Sequence, residues 1–138
     1  MIRHFLKLSD LNAGEIYGLI QRAVELKEQW REHRTCPQIM KNRSLALVFD
    51  KASTRTRVSF EIATHHFGGS SLFLSSSDSQ RNRGESVADT ARVVSSMADL
   101  IVIRTGAHSI AETYVQNSSV PVINGVSDDH HPCQLPPK

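Results

Sequence analysis

Cysteine is scarce in this chain: Cys36 and Cys133 are the only two among 138 residues, far apart and outside any CxxC or Cys/His spacing. Neither a disulfide framework nor a zinc site is suggested, and both thiols are expected to be reduced. Long apolar runs are missing too, since nothing approaches the roughly 20 consecutive apolar residues that a helical membrane span needs. The segment Met1 to Leu8 holds one short apolar cluster and no small-residue cleavage site. It reads as neither a secretory signal nor a transit peptide, so a cytoplasmic location is expected. Charge of one sign does not dominate: the formal net charge is +2, and the five Phe, two Tyr and one Trp do not interleave with a basic stripe. That balance argues against a nucleic-acid partner and makes any anion recognition local.

What is present is the composition of an ordinary globular chain, 39% hydrophobic and 22% charged, of a length suited to one domain. Helical and strand patterns alternate along it, as a parallel sheet with crossover helices requires. Residues 13 to 33 carry an apolar stripe of Ile16, Leu19, Ile20, Ala23, Val24 and Leu26 behind Asn12, a candidate N-cap. This first helix is expected to pack on the sheet or on a partner domain. Ser44 to Phe49 is a nearly continuous apolar run, the pattern of a strand covered on both faces. A second helix is predicted from about Thr54 to Phe67, stopping at Gly68-Gly69, and Ser71 to Leu74 is the second strand. Ser75 to Gly84 has no apolar residue and reads as a surface loop. Ser86 with Asp89 resembles a capping box opening a third helix, followed by a strand at Leu100 to Ile103. A shorter helix at Ile110 to Val115 and a strand at Val120 to Asn124 complete the pattern. The expected fold is a three-layer α/β/α domain with a four-stranded, mainly parallel sheet.

In open α/β sheets ligands bind beyond the carboxyl ends of the strands, so the segments after the first, third and fourth strands should converge. After the first strand comes Ser53-Thr54-Arg55-Thr56-Arg57. Ser53 is a good N-cap, and the free N–H groups of residues 54 to 56 and the helix dipole then point at one spot, a geometry that binds phosphate. Arg55 can engage two phosphate oxygens at once, and the hydroxyls of Ser53, Thr54 and Thr56 are further donors. Arg55 and Arg57 project roughly 200° apart on a regular helix, so Arg55 is favoured for the ligand. A capped helix with exposed arginines competes as an explanation of any one of these residues. The pentad as a whole favours the phosphate.

The run Phe49-Asp50-Lys51-Ala52-Ser53-Thr54-Arg55-Thr56-Arg57-Val58-Ser59-Phe60-Glu61 resembles the signature of the aspartate and ornithine carbamoyltransferase family, with Asp50 where that family more often has Glu. Further resemblances follow in register: Gly84-Glu85-Ser86 leading to Asp89-Thr90-Ala91-Arg92-Val93, then Ile103-Arg104, Val120 to Gly125, and His131-Pro132-Cys133-Gln134. They cover Arg3 to Gln134, which corresponds to the amino-terminal, carbamoyl-phosphate-binding domain only. Asn124 to Asp128 and the Cys133 motif resemble the ornithine branch, with the aspartate branch as the alternative.

The resemblance implies transfer of the carbamoyl group from carbamoyl phosphate to the δ-amine of ornithine, giving citrulline and phosphate in arginine metabolism, with no metal or organic cofactor. It assigns carbamoyl phosphate to Ser53, Thr54, Arg55, Thr56, Gln80, Arg104, His131 and Gln134. Arg104, His131 and Thr56 are the expected catalytic residues: Arg104 reaches both phosphate and carbonyl oxygen, and His131 donates to that oxygen. Gln134 accepts from the carbamoyl nitrogen. Gln80 matches a position that reaches a neighbouring subunit's site, which implies a homotrimer, and Arg81 or Arg83 could assist there.

For the remaining histidines the expectation is plain surface chemistry: His65 and His66 on a helix surface, and His4, His33, His108 and His130 solvated or in turns, with no metal-helix spacing. Cys133 is expected to be a small buried residue rather than a nucleophile. Residues 1–134 are taken as one domain and residues 135–138, Leu-Pro-Pro-Lys, as an atypical tail, because two prolines do not continue a helix. The amine-binding domain is expected to be absent and the chain alone inactive. A non-catalytic carbamoyl-phosphate-binding module is the competing functional class.

Overall fold

The computed structural model describes residues 2–50, 53–75 and 86–126. Over them the chain folds as helix α1 (Ala13–His33), strand β1 (Ser44–Phe49), α2 (Thr54–His66), β2 (Ser70–Ser75), α3 (Val87–Met97), β3 (Leu100–Arg104), α4 (His108–Asn117) and β4 (Val122–Val126). The four strands form one sheet in the order β2-β1-β3-β4, every pair parallel.

The period-2 geometry of a strand divides the core in two. Leu45, Leu47 and Phe49 of β1 join Val102 of β3 on one face, with Phe60 of α2 packed against them. Ala46 and Val48 point the other way, into a cluster with Ile101, Ile103, Ala91 and Val94 of α3, and Ala111 and Tyr114 of α4. Helices thus cover both faces, as the continuous apolar run of β1 requires. The sequence-based three-layer expectation holds.

Several boundaries differ for identifiable reasons. Strand β4 starts at Val122, two residues later than predicted, because Pro121 has no N–H to give a ladder and Ser118 binds Val120 locally, donating to its carbonyl at 2.7 Å. Helix α4 is longer than its apolar stretch: Thr113 binds back to the Ser109 carbonyl at 2.9 Å, and polar first- and last-turn residues leave no hydrophobic trace. Ser86 does cap α3, accepting from the Asp89 N–H at 3.1 Å, while the Asp89 carboxylate takes Arg92 at 2.6 Å. The C-terminus of α2 runs into Gly68 at φ +90°, where a Cβ would also collide with the Gln38 side chain.

For helix α1 one of the two expected destinations is excluded. Asn12 caps it with a reciprocal box to Glu15, yet none of its residues is buried, so it does not pack on the sheet. Its end is held to α2 by Trp30, which stacks on His66 at 3.8 Å while Arg34 lies 4.4 Å over the indole. Its start is held by Arg3, which donates to Glu15 at 2.7 Å and keeps that carboxyl down to about 2. The residues just before it form a fifth extended piece along β4: Phe5 pairs with Ile123, and the Val122 N–H donates to His4 Nδ1 at 2.9 Å. His4 is therefore part of the sheet edge rather than a solvated residue, and burial pulls its pKa down.

Candidate anion-binding site

The strand order places a topological switch between β1 and β3: from β1 the chain crosses to β2 on one side and returns to β3 on the other. The crevice at such a point, beyond the carboxyl ends, is where open α/β sheets bind ligands. The ends of β1 and β3 are tied there by the Asp50 N–H, which donates to the Arg104 carbonyl at 2.8 Å.

Ser53 is extended (φ −158°, ψ 102°) and caps α2. Its Oγ accepts from the Thr56 N–H at a long 3.4 Å and donates to the Thr56 hydroxyl at 3.0 Å. The cap therefore partly occupies one of the three N–H groups expected to face a ligand, leaving those of Thr54 and Arg55 without an intrahelical acceptor. Both of these residues are exposed, and among the described residues Arg55 has no ion-pair or hydrogen-bond partner. Arg57 is committed elsewhere: its Nε donates to Glu61 at 2.8 Å and its guanidinium lies 3.8 Å over the Phe73 ring.

Arg104 sits at the last position of β3, opposite an irregularity. Ile103 pairs with Asn124 but Arg104 with Val126, so Gly125 is an extra residue in β4. Such a bulge bends the strand and re-aims neighbouring side chains. Arg104 is half-buried, and its Nε is buried without a hydrogen-bond partner among the described residues. A buried cationic donor left unsatisfied is costly, so this Nε is expected to have an acceptor that lies outside the described residues. The bulge also meets α2: a Cβ on Gly125 would lie 3.5 Å from Thr56 Cγ2, 3.3 Å from Val102 Cγ1 and 3.4 Å from the Ile103 carbonyl.

The fold thus brings Ser53, Thr54, Arg55 and Thr56 to the crevice rim formed by β1, β3 and β4, with Arg104 on its β3 side. Gln80, His131 and Gln134 lie outside the described residues, as do Arg81, Arg83, Cys133 and the tail. Two contributors were not foreseen: Gly125 as the close-packed bulge, and Thr105, 1% exposed, whose hydroxyl donates to the Ala107 carbonyl at 2.8 Å and shapes the turn after Arg104. A glycine next to an asparagine gave a weak signal for the first; nothing local marks the second. Among the described residues no group of three or more His, Cys, Asp or Glu could hold a metal ion, and no helix is long and apolar enough to cross a membrane.

Fold and crevice together define an open parallel α/β domain whose switch point sets a capped helix start beside a strand-end arginine. Residues 3–135 match the family model of the aspartate/ornithine carbamoyltransferase carbamoyl-P binding domain, and the chain belongs to that family. An ornithine carbamoyltransferase of Acinetobacter baylyi is 51% identical over 134 residues, 97% of this chain and 44% of that protein. The crystal structure of ornithine carbamoyltransferase from Burkholderia thailandensis superposes with a TM-score of 0.88 at 41% identity, over 96% of this chain and 45% of the other. The catalytic subunit of the M. jannaschii aspartate transcarbamoylase gives 0.85 at 33% identity, over 95% of this chain and 43% of the other. The chain thus spans less than half the length of the relatives it matches.

Proposed function

We propose that this chain is the carbamoyl-phosphate-binding half of an ornithine carbamoyltransferase. The observation that carries the reading is the juxtaposition, at the sheet's switch point, of the capped start of α2 with the unsatisfied Arg104 Nε. The ornithine branch is preferred over the aspartate branch because relatives named for ornithine are 51% and 41% identical, against 33% for the aspartate transcarbamoylase.

In the reaction the δ-nitrogen of ornithine attacks the carbamoyl carbon, the bond from that carbon to the phosphate oxygen breaks, and the amine loses a proton. Negative charge builds on the carbonyl oxygen and on the departing phosphate, so the site needs donors aimed at both. Ser53, Thr54, Arg55 and Thr56 would cradle the phosphate with two free N–H groups, three hydroxyls and a guanidinium. Arg104 would bridge phosphate and carbonyl oxygen. His131 is assigned to the carbonyl oxygen, Gln134 to the carbamoyl nitrogen and Gln80 to a neighbouring subunit's site in a homotrimer. Residues 1–134 would form this domain. The amine-binding residues would come from a second domain, and a place in cytoplasmic arginine metabolism follows from the same reading.

Calorimetric titration of the chain with carbamoyl phosphate tests the site. Arg55→Ala and Arg104→Ala are each expected to weaken binding by about 2 kcal/mol, the worth of a hydrogen bond to a charged group. Unchanged affinity in both would remove the assignment. Mixed with carbamoyl phosphate and ornithine, the chain alone is expected to yield no citrulline, because closure by a second domain excludes water and completes such a site. Clear turnover would overturn the half-site reading.

A further inference from the structure

We infer that Arg57, which faces away from the crevice, is a positioning residue: it fixes the start of α2 against β2 so that Ser53, Thr54 and Arg55 meet the anion in a set orientation. The inference rests on the function proposed above and adds a residue to it.

Arg57 lies in the first turn of α2, and its own N–H is the first to bond back to the Ser53 carbonyl, at 3.1 Å. Its guanidinium is held twice. Nε donates to Glu61 one turn along at 2.8 Å, and the guanidinium plane lies 3.8 Å over the Phe73 ring of β2. Glu61 is itself tied to β2, since its other carboxylate oxygen accepts from the Ser71 hydroxyl at 3.0 Å. Helix and strand are thus joined by two different chemistries, a cation over an aromatic face and a carboxylate shared between an arginine and a serine. Arg57, first among its neighbours, keeps the Glu61 carboxyl below its ordinary range.

The connection continues to the crevice. Phe73 meets Phe49 edge to face at 5.3 Å, and Phe49, 2% exposed, is the last residue of β1. The next residue, Asp50, gives its N–H to the Arg104 carbonyl. A contiguous path of packed groups therefore runs from Arg57 through Phe73 and Phe49 to the strand end beside Arg104. The Arg57–Glu61 pair keeps side-chain exposures of 45% and 32%, and exposed pairs at this spacing add little to stability. Its worth lies in orientation: a helix N-terminus binds an anion only as well as its N–H groups are aimed.

Glutamate removal separates positioning from direct contact. Glu61→Ala leaves the guanidinium in place and removes the acceptor that Arg57 and Ser71 share, so a positioning role predicts that it weakens carbamoyl phosphate and inorganic phosphate binding by about tenfold, as Arg57→Ala does. Arg57→Lys, which keeps a cation over Phe73 and a donor for Glu61, is expected to recover most of that loss. Thermal unfolding of each variant is followed in parallel, with Arg22→Ala on α1 as a remote control. If Arg57→Ala binds like the parent, the inference fails while the site stands. If Arg57→Ala weakens binding but Glu61→Ala does not, Arg57 touches the ligand directly and positioning is wrong. If parent, Arg55→Ala and Arg104→Ala all bind alike, the phosphate site itself is wrong.

Discussion

Gly125 shows how a single hydrogen in place of a side chain can set a site's geometry. It is the unpaired residue of the β4 bulge, and an added methyl group would press on Val102, the Ile103 carbonyl and Thr56 at 3.3, 3.4 and 3.5 Å. Val102 Cγ1 is the one contact tighter than ordinary van der Waals distance and must give by a few tenths of an ångström, while the Ile103 carbonyl and Thr56 would simply touch the new methyl group. Gly125→Ala is expected to cost about 1–2 kcal/mol of stability, the usual range for overpacking. Because Val102 precedes Arg104 by two residues on β3, its displacement should also weaken carbamoyl phosphate binding. Urea denaturation gives the first quantity and titration the second. An alanine variant that keeps both would show that Val102 accommodates the methyl group without moving Arg104. The functional residues at this scale were legible unequally. Ser53 and Arg55 announce themselves, because a cap, a helix start and an arginine fall within three positions. Gly125 does not, since its meaning depends on Thr56, a residue of another element far away in the chain.

Among the elements, those with a strong local pattern were foreseen and those defined by distant partners were not. The apolar run of β1 and the Ser86 cap of α3 settle their own positions. The strand-like course of residues 4–6 has no pattern of its own; it exists because the open edge of β4 offers hydrogen bonds, and Phe5 N–H and carbonyl take them from Val122 and Asn124 at 2.9 Å. Asn124 adds its side-chain N–H to the Leu6 carbonyl at 3.0 Å. His4 completes the seal by accepting from the Val122 N–H through Nδ1, which it can do only while that nitrogen is unprotonated. Burial lowers the pKa of His4 in the folded chain, with Asp10 opposing the shift, so the folded state binds fewer protons than the unfolded one. The contribution is fully present above the ordinary value of 6.5 and is lost as pH falls through 6.5 towards the folded-state value. Amide exchange at Val122 and Asn124, corrected for its intrinsic pH dependence, should therefore be steady above pH 6.5 and accelerate as pH falls below it. In His4→Phe the exchange should be fast throughout and lose this dependence. A parent whose protection is flat across the range would show that His4 does not hold the edge.

For the whole molecule, the sequence correctly implied helices on both sheet faces but left two destinations for α1, and the structure removes one. The sheet faces are covered by α2 on one side and by α3 with α4 on the other, and the stripe of α1 has no place in either layer. Tyr17, Leu19, Ile20 and Val24 are 64%, 55%, 43% and 49% exposed, and Tyr17, Ile20 and Val24 share a helical face. A single exposed leucine is unremarkable; a contiguous stripe on one helix is the kind of patch that marks an interaction surface. Within this chain it should contribute almost nothing to folding. Ile20→Gln with Val24→Gln is accordingly expected to change unfolding free energy by no more than about 0.5 kcal/mol, as surface substitutions do. Glutamine is no worse a helix former than the residues it replaces. The same variant should bind less of a hydrophobic fluorescent dye than the parent. It should not abolish dye binding, because Val58 and Ile62 of α2 and Val93 and Met97 of α3 are also exposed. A loss of several kcal/mol would mean that the stripe is covered by this chain itself in solution.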